Sequence, residues 1–250
     1  MPAASRVTLL YSATAGLVEL RELTGRDEVS VERTGTSDAV RLLNGLLAAS
    51  PIPASRLAAP DRDRVLAALY RMTFGSRIAT TLTCGRCDQR YDLDFSLDRL
   101  SAAVDDHRGP VVREPDGTFR TEGGSFRYPT AEDELAAAGT GSMEEARAEL
   151  VRRCAGASPA SPEALFAAME AAAPLHDLEL EATCPECRSA DTLRFDIQHY
   201  LLASLIAERP RVLRDFHRLA RAYGWSLREI LELSRSQRHR LVELIEQEAA

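Results

Sequence analysis

An α+β fold follows from three features of the chain. Two C-x-x-C pairs, Cys84-Gly-Arg-Cys87 and Cys184-Pro-Glu-Cys187, each sit between alternating, strand-like segments. About a hundred residues separate the pairs, where a compact two-pair ribbon uses about fifteen to twenty. The last fifty or so residues carry helix-start signals followed by apolar residues at helical spacing. Together these predict an α+β protein with a zinc-ribbon core split by a long insertion, followed by a C-terminal helical bundle.

Residues 1–59 read as N-terminal strands and a helix. Ser5 to Val31 has the pattern of strands around a turn at Thr24-Gly25-Arg26-Asp27, and Ser37 to Ala48 has helical spacing in Val40, Leu43, Leu46 and Leu47. The run Ala48-Ala-Ser-Pro51-Ile-Pro53 breaks that helix. Residues 60–100 hold a helix and the first knuckle. Pro60 opens the helix, Asp61 to Thr73, with Val65, Leu66, Leu69, Tyr70 and Met72 on its buried side and Gly75 placed to end it in the left-handed conformation. Strand-like Thr81-Leu-Thr-Cys84 then leads into the knuckle, and Tyr91-Asp-Leu-Asp-Phe95 leaves it.

Residues 101–173 form the insertion. Val111 to Phe119 and Ser125-Phe-Arg-Tyr128 read as a small hairpin, with Asp116-Gly117 as its turn signal. Thr130-x-x-Asp133 starts a short helix as a capping box. Helices from Ser142 to Cys154 and from Pro162 to Ala173 follow, parted by the Gly/Ser/Pro-rich break Gly156 to Ser161 and closed by Pro174. Residues 174–200 hold the second knuckle, entered through Glu181-Ala-Thr-Cys184 and left through Thr192-Leu-Arg-Phe195-Asp-Ile197.

Residues 201–250 read as a three-helix unit. Tyr200 to Ala207 continues from the knuckle, Pro210 starts Arg211 to Tyr223, and Gly224 ends it. Ser226-Leu-Arg-Glu229 and Ser234-Arg-Ser-Gln237 are capping boxes for two more helices, the second from Arg235 to Glu248. Val212, Phe216, Leu219, Leu227, Ile230, Leu231, Leu241, Leu244 and Ile245 form the expected shared core.

Each C-x-x-C pair places two thiolates within reach of one ion, and two pairs complete the four-sulfur tetrahedron that structural zinc prefers. Cys84, Cys87, Cys184 and Cys187 are thus the expected ligands of one structural Zn²⁺ per chain. Four thiolates close the shell, whereas catalytic zinc keeps a position for water. Two disulfides need an oxidising compartment, and the start Met-Pro-Ala-Ala-Ser-Arg lacks a charged segment followed by a long apolar run; the expected location is cytoplasmic. A thioredoxin-like site uses a single C-x-x-C at a helix start. Spacing alone leaves an iron–sulfur cluster open beside zinc. Cys154 reads as a buried or idle thiol. His107, His176, His199, His217 and His239 fall in no metal-binding spacing.

All 31 basic residues are arginine. A G-K-[ST] phosphate loop, a Schiff-base lysine and a kinase-type lysine are therefore impossible. No G-x-S-x-G elbow occurs, and Gly123-Gly124 lies in a turn-rich stretch with no helix start behind it. No enzymatic activity is expected. A net charge of −7 opposes general binding to phosphate backbones, and no apolar stretch has the length of a membrane span. From Glu208 to Arg240, however, nine arginines meet four acids. That stretch permits a second reading, a zinc-ribbon transcriptional regulator binding nucleic acid through its C-terminal helices.

Several stretches together carry a family resemblance: Leu20-Arg-Glu-Leu-Thr-Gly-Arg-Asp-Glu28, Asp61-Arg-Asp-Arg-Val-Leu-Ala-Ala-Leu-Tyr70 with Phe74-Gly75, both knuckles, Phe195-Asp-Ile197, His217-Arg-Leu-Ala-Arg-Ala-Tyr-Gly-Trp225-Ser and Glu229-Ile-Leu-Glu-Leu-Ser234. In these the chain resembles the T-even-phage-like baseplate hub assembly proteins and their relatives in phage-tail-like contractile injection systems. The first knuckle departs from the family's more typical Cys-Pro-x-Cys, which leaves the ligands intact. The resemblance implies a non-enzymatic assembly chaperone or structural protein whose partners are baseplate or tail proteins. Tyr223, Trp225 and His217 are the expected partner-binding residues; stapling of the helical unit is the other role open to Trp225.

Overall fold

The computed structural model describes residues 5–14, 16–48, 50, 52–106, 112–121, 124–156, 161–173 and 177–248. Expectations on Ala49, Pro51, His107, Val111, Gly123, Pro174 and His176, and on most of the Gly156 to Ser161 break, lie outside the described residues.

Strands β1 (Ser5–Leu9) and β2 (Gly16–Leu20) pair antiparallel, and β2 also takes the two-residue β3 (Leu47–Ala48). Val7, Leu9, Val18 and Leu20 alternate toward the core, as one buried sheet face requires. Helices α1 (Gly25–Ser30) and α2 (Thr36–Leu46) connect β2 to β3. Thr24 to Asp27 is therefore a helix start, not a turn between strands. The Thr24 hydroxyl accepts from the Asp27 N–H, and the Asp27 carboxylate accepts from the Thr24 N–H. Thr24 carries the same T-x-x-D signature as Thr130, and Gly25 makes it resemble a turn. That glycine is needed for another reason: a Cβ there would lie 2.8 Å from Phe216 Cζ.

A 3-10 turn, Ala54–Arg56, leads to α3 (Ala59–Phe74). Val65, Leu66, Leu69 and Tyr70 are buried, and Met72 is half-buried against the core. Gly75 ends the helix at φ +84° and ψ −170°, a positive-φ extended conformation rather than the left-handed helical one. The first hairpin follows, β4 (Arg77–Thr83) and β5 (Arg90–Ser96), then α4 (Leu97–Asp106).

The insertion carries a third strand beyond the expected hairpin. Strands β6 (Val112–Arg113), β7 (Phe119–Thr121) and β8 (Gly124–Phe126) pair in that order, with Gly117 at φ +83° in the turn between the first two. Helix α5 (Ala131–Ala138) starts on the Thr130–Asp133 capping box, and α6 (Met143–Cys154) and α7 (Pro162–Ala172) start on Ser142 and Ser161. Phe119, Phe126, Tyr128, Cys154, Leu165 and Met169 pack into a separate core, to which the N-terminal part lends Tyr11 and Ala58.

The second hairpin, β9 (Asp177–Thr183) and β10 (Ala190–Asp196), runs into α8 (Ile197–Tyr223). Pro210 does not start a new helix; α8 passes through it unbroken. A proline there costs one backbone hydrogen bond. Packing on both sides outweighs the loss: Leu201, Leu202 and Leu205 sit in the main core, Val212, Phe216 and Leu219 in the C-terminal one. Gly224 closes α8 at φ +66°, ψ +16°. Helices α9 (Leu227–Glu232) and α10 (Arg235–Glu248) complete the chain. Leu227, expected in their shared core, is 60 % exposed in the first turn of α9, Leu244 is half-buried outside the cluster, and Val242 is buried in it instead.

The main core draws on β1, β2, α2, α3, Phe195 and the first half of α8, so the segments 1–59, 60–100, 174–200 and 201–250 share one apolar interior. Residues 23–25 and 233–235 add backbone pairing: Gly25 N–H donates to Leu233 O at 3.1 Å and Arg235 N–H to Leu23 O at 2.8 Å. Among the described residues, no helix is long and apolar enough to cross a membrane.

Candidate metal centre

The two hairpins are built alike. In the first, Arg77 pairs Ser96 and Thr83 pairs Arg90; in the second, Asp177 pairs Asp196 and Thr183 pairs Ala190. Each position in one thus has its counterpart one hundred residues along in the other. The knuckles repeat the match in their backbone bonds. Cys84 N–H donates to Gln89 O and Cys184 N–H to Ser189 O, while Asp88 and Arg188 N–H donate to the carbonyls of Cys84 and Cys184. Asp88 and Arg188 take φ of 56° and 58°, the left-handed conformation that turns each chain back into its second strand.

This geometry aims all four sulfurs at one point. The Sγ atoms of Cys84, Cys87, Cys184 and Cys187 all lie within 4.8 Å of one another. Contacts cross between the hairpins, 3.6 Å from Cys84 to Cys187 and 3.8 Å from Cys87 to Cys184. They far exceed the roughly 2 Å of a disulfide bond, and all five cysteines are free thiols. A tetrahedral ion with metal–sulfur bonds near 2.3 Å needs sulfurs about 3.8 Å apart. The residues therefore fit one metal ion. Cys84 and Cys184 are buried, Cys87 and Cys187 half-buried, and Leu82, Tyr91, Leu93 and Ala182 pack around them.

The surroundings prepare the thiols unequally. Backbone N–H groups of Arg86 and Cys87 favour the Cys84 thiolate and bring that thiol down to about 7, with Arg86 N standing 3.4 Å from the sulfur. At Cys87 the Gln89 backbone N–H also favours the thiolate, but burial and the crowding of the other three sulfurs prevail and push it up to about 12. A metal ion relieves that crowding, because it binds all four as thiolates. Four thiolates saturate a tetrahedral shell, so an ion held here would have no position left for a reacting water.

The other predicted residues lie apart from this centre. Cys154 is buried in the insertion core, where burial pushes its thiol up to about 11. His199 and His217 are exposed, and His239 is half-buried between α8 and α10, where burial and the charges of Arg235 and Arg238 lower its pKa. Tyr223, the last residue of α8, and Trp225 just beyond it stack with ring centroids 4.8 Å apart. Trp225 is half-buried against the C-terminal core while Tyr223 is 37 % exposed, so the pair spans core and surface.

One feature escapes the sequence reading. Arg235 and Arg238, two of the nine C-terminal arginines, are buried in an ionic cluster between α1, α8 and α10. Arg235 donates to Glu28 at 2.5 Å and to Glu208 at 2.6 Å. Arg238, fully buried, stands 2.6 Å from Glu28 without a hydrogen bond and 3.8 Å from Asp215, beyond hydrogen-bond reach, so its pairing is coulombic; its guanidinium also lies 5.7 Å from the centre of the Phe216 ring. The one available signal was spacing: Arg235, Arg238 and Val242 share a helical face. Comparison of the chain with family models, curated proteins and solved structures gives no significant match.

Proposed function

We propose that the chain is a non-enzymatic, zinc-binding assembly or structural protein of a contractile phage tail or injection-system baseplate, in which the two hairpins form a zinc ribbon around the insertion. The observation that carries the metal reading is the convergence of Cys84, Cys87, Cys184 and Cys187, from knuckles 97 residues apart, to within 4.8 Å of one another. Sulfurs this close suit a single ion, since a multi-iron cluster holds its cysteines farther apart. A closed zinc shell supplies about 10 kcal/mol or more to folding, comparable to the whole net stability of a domain. Zinc then pins the two hairpins together, and the insertion is held as a fixed projection between them.

A saturated shell leaves recognition, not catalysis, as the work of the molecule. The resemblance of residues 20–28, 61–75, 195–197 and 217–234 to baseplate hub assembly proteins supplies the partner class. Its most specific part, the tail with Leu219-Ala220, Tyr223-Gly-Trp225-Ser226 and Ile230-Leu231, contains the Tyr223–Trp225 stack at the surface end of α8. The nucleic-acid regulator is disfavoured because burial of Arg235 and Arg238 takes two arginines out of reach of any phosphate, in a chain of net charge −7. Deleting the gene in the source organism and imaging contractile particles by electron microscopy tests the proposal. Loss of assembled particles, restored by the wild-type chain but not by Cys84→Ser, is expected. Normal particles without the chain overturn it.

A further inference from the structure

The second half of α8 presents an outward face that carries two arginines and no carboxylate. Arg214, His217 and Arg221 follow at helical spacing, all exposed, with Leu213, 52 % exposed, beside them. Among the described residues none of these three polar side chains has an ion pair or hydrogen bond. The only carboxylate in α8 after Pro210 is Asp215, which points inward and is 5 % exposed. Arg214 borders a groove with Asp215, Glu243 and Glu246, whose exposed acids are engaged by other arginines: Arg218 pairs Glu246 at 2.6 Å and Arg240 reaches Glu243 at 3.6 Å, while Arg211 reaches Glu208 at 3.8 Å. On a chain of net charge −7, Arg214 and Arg221 form an exposed basic stripe.

We propose that this face docks an acidic amphipathic helix of a partner protein, an inference that rests on the assembly reading above and names the chemistry of the surface recognised. Arg214 and Arg221 stand about 10 Å apart along the axis, two helical turns. A second helix has the same rise, so carboxylates spaced three and four residues apart on it fall into register with Arg214, His217 and Arg221. Leu213 gives the partner's apolar edge a contact that a phosphate backbone cannot use. Nucleic acid fits less well, because two unpaired arginines neutralise few phosphates against the chain's overall negative charge. Exposed charges act at short range in salt, so the contact sets orientation and encounter rate more than tight affinity.

The test is nuclear magnetic resonance titration of the full zinc-loaded chain. The probe is a synthetic helical peptide of about twenty residues with Glu at the matching positions and Leu at the edge. A peptide with Gln in place of Glu and a mixed-sequence DNA duplex are the comparisons. Expected are shift changes confined to residues 210–221 with the Glu peptide, none with the Gln peptide, and affinity about tenfold weaker for Arg214→Glu/Arg221→Glu. No change with the Glu peptide, undiminished binding by the double variant, or tighter retention of the DNA duplex at about 150 mM salt overturns the proposal. The two readings fail separately. Particles that need the chain but assemble fully with the double variant remove the docking face and leave the assembly function. Peptide binding by a chain that particles do not need removes the function and leaves the face.

Discussion

Phe95 and Phe195 meet edge to face, ring centroids 5.1 Å apart and planes at 90°, from equivalent places in the two hairpins. The strands around them repeat each other with charges exchanged: Arg77 pairs with Asp94 in the first hairpin, and Asp177 with Arg194 in the second. Each hairpin then runs straight into a helix, α4 or α8. Tyr200, five residues beyond Phe195, donates its hydroxyl to Ala79 O at 2.7 Å and ties the second hairpin's helix to the first hairpin. The hairpins are therefore joined at two levels, by sulfurs at the knuckles and by aromatic rings at the base.

The basal contact should carry stability of its own. Phe195, 3 % exposed, is expected to cost about 3–4 kcal/mol on replacement by Ala, and the half-buried Phe95 less. Urea unfolding of the zinc-loaded variants measures both. Equal and small losses would mean that the metal alone holds the hairpins together.

The buried ionic cluster gives a second expectation. Arg238→Met leaves the buried Glu28 with one partner fewer, at a cost of about 3 kcal/mol. Adding Glu28→Gln should cost less than the sum of the single changes, because the uncompensated charge goes with it. Additive losses in a double-mutant cycle would show that the two side chains do not interact.

What was legible in the sequence followed from local chemistry. The four cysteines, their flanking strands and the capping boxes at Thr130, Ser226 and Ser234 are each fixed by a few neighbouring residues, and the structure contains them. The failures had long-range causes. Pro210 signals a break locally, yet contacts with two different cores hold α8 through it. Gly25 signals a turn, yet it is small so that α1 can approach Phe216. The burial of Arg235 and Arg238 is not legible locally, because their shared partner Glu28 lies more than two hundred residues away in sequence. The four thiols were legible as a set, but no spacing rule shows that two hairpins bring them within 4.8 Å of one another.

Cys154 should behave unlike the other four cysteines. Buried, with its thiol pushed up to about 11, it should resist iodoacetamide at neutral pH in the folded chain and react on unfolding. Cys154→Ser should keep the metal and cost about 1–2 kcal/mol for an added buried hydroxyl. Mass spectrometry of labelled protein checks the first point. Rapid native labelling of Cys154 would contradict its placement.

Acid should weaken the insertion through Asp133. Burial pushes this carboxyl up, but hydrogen bonds from Arg127 and from the Thr130 N–H and hydroxyl, with the Arg127 charge, prevail and hold it well below the usual range. Because the folded value lies below the unfolded one, near 3.8, its stabilisation is complete above that value and fades as pH falls through and below it. Asp133→Asn should therefore be less stable than wild type at pH 7, by about 2 kcal/mol, and the gap should narrow below about pH 4. Urea midpoints of both proteins across that range test it; a constant gap would contradict it.

The most direct measurement is the metal content of the freshly purified chain, made without chelator and analysed by inductively coupled plasma mass spectrometry. One zinc per chain is the expected result, absent from Cys84→Ser and Cys187→Ser, which should also lose cooperative unfolding as about 10 kcal/mol of coupled binding energy disappears. Iron with visible absorbance, or a cooperatively folded chain holding no metal, would contradict it.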